Sequence, residues 1–168
     1  VLVGGTEATG QALMPAPGKQ LKVFLLAGQS NMEGRANGRL LPAADRARLE
    51  EVQDRVYLAF NEHPVGPLDV APPSKDIQEL YKIDLLFGPE LYFGMALAEA
   101  WPDERILLIK RTEGGTSLYG AWNPDWTEEK ERLIGEENGP KLYTELVAHL
   151  RKVLSVYGPE DYEICGML

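Results

Sequence analysis

The 168-residue sequence predicts a single α/β domain with a mostly parallel central sheet and helices on both faces, and three observations carry that prediction. Predominantly apolar runs of strand length, at 21–27, 55–60, 105–110 and 162–168, alternate with stretches of helical periodicity. Such runs suit strands covered on both faces, unlike the strict apolar/polar alternation of a half-solvated sheet. Two of the runs end abruptly in glycine-containing polar segments, Gly28-Gln29-Ser30-Asn31 and Glu113-Gly114-Gly115-Thr116. In open α/β sheets, ligands bind outside the carboxyl ends of the strands.

In chain order, residues 1–20 read as a flexible arm rich in Gly, Pro and small residues, leading into one domain over 21–168. Val1 is not an initiator Met, and no basic segment is followed by an apolar signal core. After the first strand come a polar loop at 33–39 and a short charged helix at 44–51. The second strand at 55–60 leads into residues 61–86. These hold Pro64, Gly66, Pro67, Pro72 and Pro73, too many breakers for a long helix, and are expected to be irregular and to line one rim of a site. Gly88-Pro89-Glu90 opens a helix to about residue 101, because Pro suits the first helical position and Glu the positive end of the dipole. The third strand, at 105–110, is followed by an irregular stretch at 118–139. A helix at 141–157 buries Leu142, Leu146, Leu150, Val153, Leu154 and Tyr157 along one face. The last strand, 162–168, is apolar, and a sequence stopping inside it leads to the expectation that roughly the last third of a domain lies beyond it.

Composition narrows the function. A net charge of -9 repels nucleic acid and suits a neutral substrate. No apolar run approaches the ~20 residues of a membrane-spanning helix, so no membrane partner is expected. One cysteine, Cys165, leaves no internal disulfide and no cysteine-rich zinc site, and it reads as a small buried apolar residue. His63 and His149 are the only histidines, too few for a multi-histidine metal centre, and neither a metal nor a cofactor is expected.

Ser30, at the end of the first strand, is the candidate nucleophile. A serine needs a base and an oxyanion hole to act. The nucleophile elbow of α/β-hydrolases has Gly two residues after the Ser, and Met32 breaks that pattern. The loop also lacks the Ser/Thr/Gly-rich cradle of a flavodoxin-type phosphate or flavin module.

Gly28-Gln29-Ser30-Asn31-Met32-Glu33-Gly34-Arg35 resembles the first block of the SGNH hydrolases, and within them the carbohydrate esterase family 6 and sialate O-acetylesterase-like group. Phe87-Gly88-Pro89-Glu90 resembles that group's next landmark, and Glu113-Gly114-Gly115-Thr116-Ser117-Leu118 with Trp122 its Gly-Gly-Thr segment, in the same order and spacing. The resemblance covers roughly Lys22 to Leu168. It implies a three-layer α/β/α flavodoxin-like SGNH fold, incomplete at its carboxyl end. It also implies a serine esterase that removes O-acetyl groups from carbohydrates of the acetylxylan or sialate type through an acetyl-Ser30 intermediate. The substrate would be an acetylated carbohydrate or another small acetyl ester. The N–H groups of Ser30 and of Gly115, or else Gly114, would bind the oxyanion. The family's Gln-Gly-Glu-Ser-Asp-like block and its Asp-x-x-His would fall after residue 168, so the base would come from a carboxyl-terminal segment or an oligomer partner. The resemblance tilts localisation toward a secreted or periplasmic protein.

Other polar residues keep two readings. Gln29, Asn31 and Arg35 brace the nucleophile loop or touch substrate, as does Thr116. Glu113 braces the Ser30 turn or faces the site. Trp122 and Trp126 stack on a sugar ring or anchor their loop. His149 reads as a boundary residue on its helix, and His63 as a solvated or rim residue that a loop could still use as a base. The acidic run 128–131 with Glu136 and Glu137 reads as a solvated face. The alternative to an esterase is a catalytically inactive carbohydrate-binding or scaffold domain on the same fold.

Overall fold

The computed structural model describes residues 13–61 and 63–168. In chain order the elements are β1 (Leu21–Gly28), α1 (Ser30–Glu33), β2 (Ala36–Asn37), α2 (Ala43–Glu50), β3 (Val56–Phe60), β4 (Gly66–Pro67) and α3 (Lys75–Tyr81). They continue with β5 (Leu86–Phe87), α4 (Pro89–Ala100), β6 (Ile106–Thr112), α5 (Glu128–Ile134), α6 (Leu142–Leu154) and β7 (Tyr162–Met167). The main sheet runs β4-β3-β6-β1-β7. The pairs β3/β6, β6/β1 and β1/β7 are parallel, and only β4 is antiparallel to its neighbour. β1 lies inside the sheet between β6 and β7, with β3 beyond β6, so the strand order reverses direction at β1. The chain is therefore α/β, with a mostly parallel sheet flanked by helices.

Strand alternation builds the three layers. Phe24 and Leu26 of β1 and Ile106 and Leu108 of β6 face α4, where they meet Leu91, Met95 and Ala98. Leu21, Val23, Leu107 and Ile109 point the other way, against Val153 and Leu154 of α6. The chain after β1 thus returns over one face of the sheet, and the chain after β6 over the other. β1 and β6 are neighbours, Gly28 lying opposite Thr112, so their outgoing loops diverge and open a crevice at the carboxyl edge.

Several segments differ from the sequence expectation. Within 61–86 the chain forms β4 and the helix α3, because every breaker precedes residue 74 and the Ser74 hydroxyl caps the Ile77 N–H at 3.4 Å. Within 118–139 it forms α5, whose first turn is capped by the Thr127 hydroxyl. β6 extends through Arg111 to Thr112, and α6 ends at Leu154. Of the arm expected to be flexible, residues 1–12 lie outside the described residues. Leu13 is buried, and its carbonyl accepts from the Tyr157 hydroxyl at 3.0 Å. Lys19 pairs with Glu104 at 3.0 Å. Cys165 is exposed, not buried, because β7 is an edge strand that packs chiefly against β1. The acidic run is not a uniformly solvated face either. Glu131 turns inward at 4% exposure, and the Glu136 carboxylate accepts the Ala121 N–H at 3.0 Å.

Candidate active site

Ser30 opens α1, a single turn directly after β1. Its side chain is half-buried at the crevice between β1 and β6. As the first helical residue, its N–H has no acceptor within the helix. The turn closes through Glu33 N–H to Gln29 O at 2.8 Å and Gly34 N–H to Ser30 O at 3.1 Å. Gly34 has φ 79°, and a Cβ there would lie 2.0 Å from Gly88 Cα. Only glycine fits this crossing, which clamps the end of the Ser30 turn to the start of α4.

The end of β6 supplies the other wall. The Glu113 N–H donates to Gly28 O at 3.3 Å and ties the two strand ends together. A Cβ on Gly114 would stand 3.0 Å from an Arg35 guanidinium nitrogen and in ordinary contact, 3.9 Å, with Ser30 Cβ, so this glycine lies directly beside Ser30. Gly115 follows in the left-handed region at φ 76°, with open space where its Cβ would project. The Thr116 hydroxyl donates to Glu113 O at 2.8 Å and receives the Trp122 indole N–H at 3.2 Å. Thr116 and Trp122 therefore brace this loop. Glu113 does so through its backbone, while its carboxylate pairs with Arg111 at 3.3 Å.

Beneath α1 sits a group that the sequence reading missed. Lys110 is fully buried, and its ammonium meets the Glu90 carboxylate at 2.5 Å and the Glu33 carbonyl at 2.9 Å. The Phe60 ring lies 4.5 Å from the same nitrogen. The other Glu90 oxygen accepts the Gly88 N–H at 2.8 Å. A buried ion pair thus joins the floor of the sheet, the start of α4 and the carboxyl end of the Ser30 turn. Burial pushes the Lys110 ammonium below the ordinary lysine value despite the Glu90 charge. A signal for it existed. Lys110 shares the parity of Ile106 and Leu108, which face the core under α4, and the acidic residue of the Gly-Pro-Glu helix start is its partner.

Arg35 pairs with Glu33 at 3.1 Å and donates to the Tyr81 hydroxyl at 2.6 Å. Tyr81 closes α3, so the segment 61–86 does reach this rim. Gln29 and Asn31 are exposed, and among the described residues their side chains make no hydrogen bond. An apolar cavity of about 500 Å³ opens beside the strand end, lined by Gly28, Gln29, Thr116, Leu118 and Trp122 among others. Neither histidine joins Ser30. His63 stacks on Phe60 just past β3, a ring Nε2 of His149 lies 3.3 Å from Ala59 O, and both line a separate cavity of about 320 Å³. β3 is separated from β1 by β6, about 10 Å across the sheet at the usual strand spacing.

Compared with protein families, the chain matches the family described as carbohydrate esterase, sialic acid-specific acetylesterase, over residues 20–168. No curated protein and no solved structure matches significantly.

Proposed function

The chain belongs to the sialic acid-specific acetylesterase family of carbohydrate esterases, and from that premise we propose that Ser30 is the nucleophile of a serine O-acetylesterase. The observation that carries this reading is the meeting of Ser30 with the Gly114-Gly115 turn at the carboxyl ends of neighbouring parallel strands. The Ser30 oxygen attacks the acetyl carbonyl carbon of an acetylated sugar and gives up its proton to a base. The oxyanion that forms is met by the Ser30 N–H and by an N–H of the glycine pair, Gly115 being the favoured donor. Collapse expels the sugar hydroxyl, which takes the proton back, and leaves acetyl-Ser30. Water then attacks that ester, releasing acetate and restoring Ser30. The substrates are acetyl esters of carbohydrates, of the sialate or acetylxylan type.

Among the described residues, no histidine side chain is placed beside Ser30. His63 and His149 are the only imidazoles in the sequence, and both lie beyond β6. The base is therefore supplied from outside these residues, and residues 1–168 alone hydrolyse acetyl esters slowly. That same observation favours, as a second reading, a domain that binds acetylated sugar without turning it over. The test is hydrolysis of p-nitrophenyl acetate by residues 1–168 beside Ser30→Ala and His63→Ala. Little turnover is expected, with no loss in His63→Ala. Substantial turnover abolished by both substitutions would make His63 the base and refute this assignment. Sugar binding undiminished in Ser30→Ala, with no turnover once an imidazole base is supplied, would establish the second reading instead.

A further inference from the structure

The turn that carries Ser30 is too small to hold its own orientation. α1 has four residues, its N-cap Gln29 makes no side-chain bond to it, and none of its side chains is buried, Met32 packing only partly buried against the core. So short a helix is unstable by itself, because nucleation costs more than its few hydrogen bonds return. Its direction is set from below. Lys110 Nζ donates to the Glu33 carbonyl at 2.9 Å and to Glu90 Oε2 at 2.5 Å. Glu90 Oε1 accepts the Gly88 N–H at 2.8 Å, and Gly88 is the residue that Gly34 crosses at close quarters. These contacts close a ring that runs from Lys110 through the Glu33 carbonyl, Gly34, Gly88 and Glu90 back to Lys110. Lys110 stands opposite Leu26 on β6, the strand that runs on to Gly114 and Gly115. The ring thus fixes the Ser30 turn relative to the strand end that bears the glycine pair. Stability alone does not call for an ion pair here. Apolar side chains of similar volume in place of a buried pair often leave a protein as stable or more so. They cannot hold a carbonyl, since neither Leu nor Met offers the Glu33 oxygen a donor.

We propose that Lys110 and Glu90 are positioning residues for Ser30: the buried pair holds the carboxyl end of its turn, and so sets the direction of the Ser30 hydroxyl and N–H relative to the Gly114-Gly115 turn. This role rests on the reading of Ser30 as the nucleophile. Lys110 has no exposed surface and the Glu90 side chain 4%, so both act through the backbone of the turn and neither touches substrate. A reacting group misplaced by about 1 Å can lose about a hundredfold in rate. Releasing the Glu33 carbonyl permits such a shift while leaving the sheet and both apolar cores in place.

The test follows modification of Ser30 in residues 1–168 by a fluorophosphonate, with imidazole added, over a range of probe concentrations and beside urea unfolding of the same proteins. The double variant Glu90→Leu with Lys110→Met should unfold cooperatively near the wild type. Its maximal rate of modification should nonetheless fall about ten- to a hundredfold, with the half-saturating probe concentration unchanged. Lys110→Met with Glu90→Gln keeps an acceptor for the Gly88 N–H but takes the donor from the Glu33 carbonyl. It should show the same loss, so the outcome does not hang on the folding of one variant. Amide resonances of residues 30–34 should shift in both variants, and those of the core strands should not. Either variant modified as fast as the wild type would overturn the positioning role, as would a slowing that lies wholly in the half-saturating concentration. A wild-type chain never modified at Ser30 would refute the nucleophile reading and this role with it. Wild-type modification at Ser30, matched by both variants, would refute the positioning role alone.

Discussion

Glu90→Leu isolates the buried pair beneath the Ser30 turn. In the native chain the Lys110 ammonium has two oxygen partners, the Glu90 carboxylate at 2.5 Å and the Glu33 carbonyl at 2.9 Å, and no contact with water. Leucine removes the carboxylate in contact with the ammonium, leaves only the weaker field of the Glu33 carboxylate, and takes from the Gly88 N–H its 2.8 Å acceptor. Stranding one member of a buried pair costs about 3–5 kcal/mol, because the remaining charge is desolvated without compensation. At about 2–4 °C per kcal/mol for a domain of this size, the midpoint should fall by about 6–20 °C. Lys110→Met added to Glu90→Leu removes the stranded charge and fills the space with an unbranched apolar chain. The double variant should recover to within about 2 kcal/mol of wild type, the residue being the unpaired Glu33 carbonyl and Gly88 N–H. Urea unfolding of the four proteins in the cycle measures this. A double variant as unstable as Glu90→Leu, or a single substitution costing under about 1 kcal/mol, would refute the reasoning.

Other outcomes follow from the same geometry. Between its lowered folded value and the ordinary 10.5, Lys110 binds fewer protons in the folded chain than in the unfolded one, so its contribution to stability rises with pH through that window. The stability difference between wild type and Lys110→Met should therefore grow as pH increases toward 10.5, and a difference that shrinks would contradict the burial argument. Gly34→Ala should destabilise more than Gly115→Ala, because the first puts a Cβ 2.0 Å from Gly88 Cα while the second meets open space and costs about 1 kcal/mol of left-handed strain. Equal midpoints in thermal unfolding would count against the crossing. Trp122→Phe should lose the indole bond to Thr116 and speed exchange of the loop amides after β6, with a stability loss of about 1 kcal/mol. Unchanged exchange would show that the indole does not brace the loop.

The sheet was legible because its strands are predominantly apolar runs, two of them ended by glycine-containing segments, a pattern that does not depend on tertiary partners. The tight turn after β1 was legible for a similar reason: Gly28, Ser30 and Gly34 are local features of a sharp strand exit. What the sequence hid is set by partners far along the chain. Lys110 reads as the polar end of a strand until Glu90, 20 residues earlier, is seen to sit beneath it. Glu131 reads as solvated until α5 turns it inward, and Cys165 reads as buried until β7 proves to be an edge. α3 and α5 were obscured by nearby breakers, although the caps Ser74 and Thr127 were there to be read.

The central claim, that Ser30 is a nucleophile short only of its base, is tested most directly by covalent labelling. A fluorophosphonate probe is incubated with residues 1–168, with and without added imidazole, and the adduct is mapped by mass spectrometry. The account predicts a single adduct on Ser30, slow alone, accelerated by imidazole and absent from Ser30→Ala. An adduct on another residue, or labelling that imidazole leaves unchanged and Ser30→Ala retains, would contradict it.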